Sequence, residues 1–246
     1  VNFIDTADAY GPDTNEEVIA EALHPYPAGL VIATKGGLVR PDAKSWASDA
    51  RPVHLRQALE GSLKRLRLER IDLYQLHSPD PKVPFEESIE ALAGLRREGK
   101  VRHIGLSNVT VQQIERARAI VPIVSVQNRY HVGNRNDEDV LKHCERHGMA
   151  FLPWFPLGAG DALRLRGIAH VAERRGISPA QAVLAWLLAK SAVMLPIPGT
   201  GSVAHLEENV ASTAVRLEPE DLRAFEWQAG GLRTRLYSSR LFRRFL

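Results

Sequence analysis

Seven short, largely apolar runs recur along the chain, at Val1 to Ala7, Leu30 to Thr34, Ile71 to Leu76, His103 to Leu106, Ile123 to Gln127, Ala150 to Trp154 and Val193 to Ile197. Near-continuous apolar stretches of this length fit strands of a parallel sheet covered on both faces. Between them the apolar positions return at helical spacing, as in "EEVIAEAL", "HLRQALEGSLKRLRL", "FEESIEALAGLRREGK" and "PAQAVLAWLLAK". Gly99, Gly148 and Gly176 stand where those helices should stop. Strict alternation of strand and helix predicts a parallel sheet with right-handed crossovers. No linker-like or low-complexity stretch interrupts it, so one domain is expected over residues 1–246. A closed (β/α)₈ barrel needs eight strands, and the pattern supplies seven. The expected architecture is therefore a TIM barrel lacking its first βα unit, with that unit upstream of Val1. An open doubly wound sheet is the alternative, but no G-x-G-x-x-G follows the first strand.

In such a barrel the chemistry sits at the carboxyl ends of the strands. Those positions carry Asp5 and then Tyr10, Lys35, His77, Ser107 with Asn108, Gln127 with Asn128, and Trp154, before the loop "IPGTGSVAHLEEN". Singly, each has a structural explanation: a turn cap, a solvated lysine, a core tryptophan. Jointly, polar or aromatic groups converge on one rim. A tyrosine of ordinary pKa, about 10, is a poor proton donor at neutral pH. A neighbouring ammonium favours its phenolate and makes it a better acid, which is the role open to Lys35, with Asp5 holding that lysine charged. A neutral His77 would donate to a carbonyl oxygen and orient it. These groups suit protonation of an oxyanion as it forms. They do not suit acyl transfer or metallohydrolysis, for which neither a G-x-S-x-G elbow nor an H-E-x-x-H pair is present. Protonating a carbonyl oxygen requires hydride at carbon, and no side chain supplies it, so a nicotinamide cofactor is expected. Trp154 could stack on its ring, and Ser107, Asn108 and Gln127 could meet its carboxamide. The glycine-rich final loop opens a helix with Ser202 as expected N-cap, a setting that binds phosphate.

The segments "NFIDTADAYG", "ATKGG", "DLYQLHSPDP", "HIGLSN", "VQNRY" and "IPGTGSVAHLEEN", in this order, resemble the aldo-keto reductases over nearly the whole chain. The resemblance implies a (β/α)₈ barrel that binds NADP(H) in extended form, without a Rossmann domain. It places a catalytic tetrad on Asp5, Tyr10, Lys35 and His77, with Tyr10 as general acid. Nicotinamide contacts fall on Ser107, Asn108, Gln127 and Trp154. Contacts to the adenosine and its 2′-phosphate fall on Gly199, Thr200, Ser202, His205, Glu208 and Asn209. Many members have a lysine at the position of Gly199 and an arginine at that of His205, so NAD remains an alternative to NADP. Trp154 stands where many members stack a tyrosine. The family also has a strand and helix before "NFIDTADAYG", so the resemblance implies an N-terminally truncated member.

Bulk properties narrow the picture further. The 246 residues carry a formal net charge of +3 and are 44% hydrophobic. That charge is too small to argue for nucleic acid, and no run is long and apolar enough to span a membrane. One cysteine, Cys144, precludes an internal disulfide framework and suits a reducing, cytoplasmic setting. His143 and His147 have a zinc-compatible spacing, but no third ligand stands at a fixed offset, so no metal is expected. Trp46, in the loop after Lys35, is the candidate wall of the substrate pocket. The basic tail, residues 230–246, either shapes that pocket through Tyr237 and its neighbours, or binds an anionic surface, or is simply solvated. The expected activity is NAD(P)H-dependent reduction of a small aldehyde or ketone to the alcohol. Two alternatives stand beside it, a non-catalytic NADP-binding subunit and an inactive truncated chain. Oligomeric state is not readable.

Overall fold

The computed structural model describes residues 1–11, 14–42 and 45–231, the last six of these as backbone only. The expected basic tail beyond residue 231, Tyr237 included, lies outside the described residues. Two compact units divide the chain within one strand, one unit holding Val1–Val126 and the other beginning at Gln127.

The first unit contains β1 (Phe3–Asp5), α1 (Thr14–Leu23), β2 (Val31–Gly36), β3 (Leu38–Val39), β4 (Ala47–Ser48), α2 (Pro52–Leu66), β5 (Ile71–Leu76), α3 (Phe85–Arg97), β6 (Val101–Ser107) and α4 (Val111–Arg118). It also holds the start of β7 (Ile123–Arg129). Strands β1, β2, β5 and β6 pair in parallel, with Asp5 beside Ala33, Lys35 beside Gln75, and Gln75 beside Gly105. Because side chains alternate along a strand, Asp5, Lys35, Gln75 and Gly105 share one face of the sheet. The opposite face meets the helices. There Thr34 donates to the fully buried Glu16 of α1, and Arg65 of α2 binds the other oxygen of that carboxylate at 2.8 Å. A buried acid is tolerable only when so paired. Tyr74, also on that face, donates to the Leu55 carbonyl of α2. A Cβ at Gly36 would lie 2.1 Å from the Tyr74 hydroxyl, so only glycine fits directly after Lys35. Local signals agree with these elements: Thr110 and Gln113 form a reciprocal cap at α4.

The second unit contains the end of β7, then α5 (Glu138–His147), β8 (Ala150–Trp154), α6 (Arg166–Arg175), α7 (Pro179–Lys190), α8 (Val203–Ala211) and α9 (Pro219–Gly231). Ser178 and Gln181 cap α7 reciprocally, and Gly148 and Gly176 end α5 and α6 in the left-handed conformation, as their positions predict. The core here is aromatic. Tyr130 stacks on Trp186 with centroids 6.1 Å apart, and Trp186 stacks on Phe225 at 6.0 Å. Among the described residues the sheet order is β1-β2-β5-β6-β7-β8, six strands rather than the expected seven. The run Val193 to Ile197 does not form a strand. It makes a single bridge, in which Phe151 N–H donates to the Val193 carbonyl at 2.8 Å and Leu195 N–H to the Phe151 carbonyl at 2.9 Å. Pro196 and Pro198 follow at once, and without N–H groups they cannot extend the ladder.

His131 in this unit is buried. Its Nδ1 accepts from Gly133 N–H at 3.2 Å, and its Nε2 has no hydrogen-bond partner among the described residues. Burial, helped by Arg129, lowers its pKa to about 4. The unfolded chain therefore takes up a proton near pH 6.5 that the folded chain refuses until about pH 4. Folding stability should be full above pH 6.5 and fall as pH drops from there toward 4, by on the order of 1–3 kcal/mol. Urea unfolding across that window checks it, and His131→Asn should flatten the fall. An unchanged slope in that variant would refute the assignment.

Candidate active site

The site is best built outward from Lys35. It lies inside β2 rather than in a loop after it, and it is fully buried. A buried ammonium needs acceptors on every side it shows. Lys35 Nζ meets Asp5 Oδ2 at 2.6 Å, the Thr6 carbonyl at 2.8 Å and the Tyr10 hydroxyl at 3.2 Å. It also sits 4.7 Å from the centre of the Tyr10 ring. Burial opposes its charge, but attraction to Asp5 and then to Tyr10 prevails, and its pKa is raised. Lys35 is thus a cation at neutral pH, in hydrogen-bond contact with a phenolic oxygen.

Tyr10 reaches that place because the chain turns directly after β1. Tyr10 N–H bonds the Ala7 carbonyl at 3.1 Å, and Gly11 follows with a positive φ of 77°. The Tyr10 ring meets His77 edge-on at 5.6 Å and Trp46 edge-on at 6.4 Å. Trp46 and His77 are themselves 6.2 Å apart, so the three rings form one cluster. Arg40 lies over the Trp46 ring at 4.5 Å. Trp46 is carried on the short β3–β4 hairpin, which the sequence pattern did not reveal. His77 follows β5 and is buried, and its Nδ1 has no hydrogen-bond partner among the described residues. Burial, and secondarily the Lys35 charge, push its pKa well below the ordinary value. At neutral pH it is an uncharged imidazole.

Ser107 ends β6 and is buried, and Asn108 follows with a left-handed φ of 58°. The Asn108 amide donates to the His77 carbonyl at 2.9 Å, tying the ends of β5 and β6 together. One residue escaped the sequence reading: Gln75, whose Nε2 donates to Asp5 Oδ1 at 3.0 Å. The available signal was its position two before His77, the spacing that gives residues of one extended run the same facing.

In the second unit, Gln127 is buried in β7 and Trp154 is half-buried at the end of β8. Trp154 packs edge-on against Phe155 at 5.0 Å, with Arg129 over its ring at 5.5 Å. Asn128 donates to Asp137 at 3.0 Å. Ser202 is the N-cap of α8, accepting from His205 N–H at 3.4 Å, while its own N–H donates to the Thr200 hydroxyl at 3.1 Å. Gly199 and Gly201 are exposed, with nothing within 4 Å of where a Cβ would stand. His205 is exposed, Glu208 half-buried and Asn209 buried. An open, glycine-lined helix start of this kind fits a phosphate-bearing cofactor. His143 and His147 lie with ring centres 4.5 Å apart on α5.

The Aldo/keto reductase family model matches residues 1–227. An uncharacterised oxidoreductase of Schizosaccharomyces pombe is 48% identical over 222 residues, covering 89% of this chain and 72% of that protein. Pyridoxine 4-dehydrogenase of Escherichia coli is 42% identical over 232 residues, covering 92% of this chain and 81% of that enzyme. Among solved structures, an aldo-keto reductase from Klebsiella pneumoniae in complex with NADPH superposes with a TM-score of 0.79 at 29% identity, covering 92% of this chain and 79% of that one. The chain belongs to the aldo/keto reductase family, and its fold is the (β/α)₈ barrel class of that family. Its relatives are oxidoreductases.

Proposed function

We propose that this chain reduces the carbonyl of a small aldehyde or ketone to the alcohol, and runs the reverse oxidation, with NADPH as the preferred cofactor and Tyr10 as proton donor. The observation that carries this is the buried Lys35 ammonium, 2.6 Å from Asp5 and 3.2 Å from the Tyr10 hydroxyl. When bound, the cofactor would supply the hydride that adds to the carbonyl carbon. Tyr10 gives its hydroxyl proton to the carbonyl oxygen as negative charge develops there. Lys35 stabilises the phenolate left behind, and Asp5 keeps Lys35 in place. His77, uncharged, orients the carbonyl oxygen without competing for the proton. Trp46 closes the pocket against the ring faces and favours flat, unsaturated substrates.

On the cofactor side, Ser107, Asn108 and Gln127 would hold the carboxamide and Trp154 the ring. Gly199, Thr200, Ser202, His205, Glu208 and Asn209 would take the adenosine end. The NADPH complex of the Klebsiella pneumoniae relative supports NADPH. With Gly199 and His205 in place of two cations, NADH should be accepted as well, less tightly.

The test is absorbance at 340 nm with NADPH and an aromatic aldehyde, and with NADP⁺ and pyridoxine in the other direction, the latter chosen from the Escherichia coli relative. Steady NADPH loss with one-to-one alcohol formation is expected. Tight NADPH binding without turnover of any carbonyl would overturn the proposal.

A further inference from the structure

We propose that Gln75 is a positioning residue for this site, holding the Asp5 carboxylate so that it anchors Lys35, and that Ser125 sets the orientation of the Gln75 amide. The proposal deepens the function above, since its effect on rate passes through Lys35 and Tyr10. Gln75 and Lys35 are register partners on β5 and β2, and both are fully buried. From these neighbouring positions they bind opposite oxygens of one carboxylate, Gln75 Nε2 on Oδ1 at 3.0 Å and Lys35 Nζ on Oδ2 at 2.6 Å. A carboxylate only accepts, so Gln75 must present its NH₂ to Asp5 and turn its own oxygen away.

That oxygen, Gln75 Oε1, is buried without a hydrogen-bond partner among the described residues, and so is Ser125 Oγ on β7. The two surround the same glycine. A Cβ at Gly105, the register partner of Gln75 on β6, would lie 2.3 Å from Ser125 Oγ, 2.9 Å from Gln75 Cγ and 3.3 Å from Gln75 Oε1. Glycine at 105 therefore lets serine and glutamine approach each other in the sheet interior. Orphaned buried polar atoms are costly, and a serine hydroxyl can rotate to donate. As placed the two atoms do not bond each other; a small shift of the Ser125 side chain would bring its O–H onto Gln75 Oε1, satisfying both and locking the amide with NH₂ toward Asp5. The result is a chain of donors, Ser125 to Gln75 to Asp5, whose far oxygen is left for Lys35. Without Gln75, Asp5 can swing, and the ammonium no longer sits at a fixed distance from the Tyr10 hydroxyl.

The experiment compares Gln75→Met, Gln75→Glu, Ser125→Ala and Gln75→Met/Ser125→Ala in steady-state kinetics over pH 6 to 9. Gln75→Met, of similar volume without a donor, should lower kcat about ten-fold with both KM values within about two-fold of wild type. Gln75→Glu should match wild type at low pH, where its protonated carboxyl donates to Asp5. It should fall to the level of Gln75→Met as it ionises. Ser125→Ala should cost about two-fold alone and nothing further beside Gln75→Met. A Gln75→Met enzyme within two-fold of wild type, or a Ser125→Ala loss undiminished in the double variant, would overturn the proposal. A readout free of turnover separates it from the reductase assignment. In wild type, one Gln75 Nε2 proton should be shifted downfield and exchange slowly by NMR, and Ser125→Ala should speed that exchange. Were the wild type inactive on every carbonyl, the reductase assignment would fall, while slow exchange would still uphold the Gln75 contact and fast exchange would sink it.

Discussion

Replacing Tyr10 with Phe should lower kcat for carbonyl reduction by about 10²–10⁴-fold, the range for losing a general acid, and leave NADPH affinity within about two-fold. The variant removes one oxygen and the contact it makes with Lys35 Nζ at 3.2 Å. The ring stays, and with it the edge-on packing against His77 and Trp46. No neighbour is equipped to take over. His77 is held uncharged by burial and by Lys35, so it carries no spare proton at neutral pH. Lys35 is held charged by Asp5, so it does not give its proton up. NADPH oxidation at 340 nm and NADPH fluorescence titration measure the two quantities separately. A Tyr10→Phe enzyme within ten-fold of wild type, with intact cofactor binding, would show that the proton comes from elsewhere.

Much of the first unit was legible because strand ends obey a simple rule. Asp5, Tyr10, Lys35 and His77 sit just inside or just beyond apolar runs, and the sheet brings those positions to one rim. Lys35 itself was legible as a position but not as an environment. Its place inside β2, fully buried, depends on Asp5 arriving from β1, a long-range pairing that no local pattern encodes. Gln75 was missed for a related reason. Within "DLYQLH" it resembles any polar residue in a strand, and only the register Lys35–Gln75 reveals that both reach one carboxylate. The seventh strand failed because apolar periodicity does not count N–H donors. Val193 to Leu195 begin to pair, and Pro196 ends the ladder. The β3–β4 hairpin, two residues per strand, is too short to leave a periodic signal, yet it carries Trp46 to the site. Caps were the reverse case: Ser202 acts through a near neighbour and was read as an N-cap from local sequence, and the structure adds Thr110 and Ser178 as caps of the same local kind.

The Asp5–Lys35 pair should separate stability from activity. Asp5→Leu leaves the Lys35 ammonium fully buried with the Thr6 carbonyl and the Tyr10 hydroxyl but no counter-ion, and should cost about 3–5 kcal/mol of folding stability. Lys35→Met leaves the nearly buried Asp5 carboxylate its Gln75 contact but removes the Lys35 ammonium, and should cost a similar amount. The double variant Asp5→Leu/Lys35→Met buries two apolar side chains of comparable volume, so most of the lost stability should return. Activity should not return in any of the three, because the cation beside Tyr10 is gone or unanchored. The sign of the Lys35 shift agrees. Its pKa is raised in the folded chain, so on the alkaline side the pairing holds in full up to about pH 10.5 and fades as pH rises through the higher folded value. Urea unfolding at pH 7 and turnover with NADPH, measured on all four proteins, give the coupling energy and the activity on one set of samples. Additive destabilisation in the double variant would mean the two charges do not depend on each other. A double variant both stable and active would remove Lys35 from the chemistry altogether.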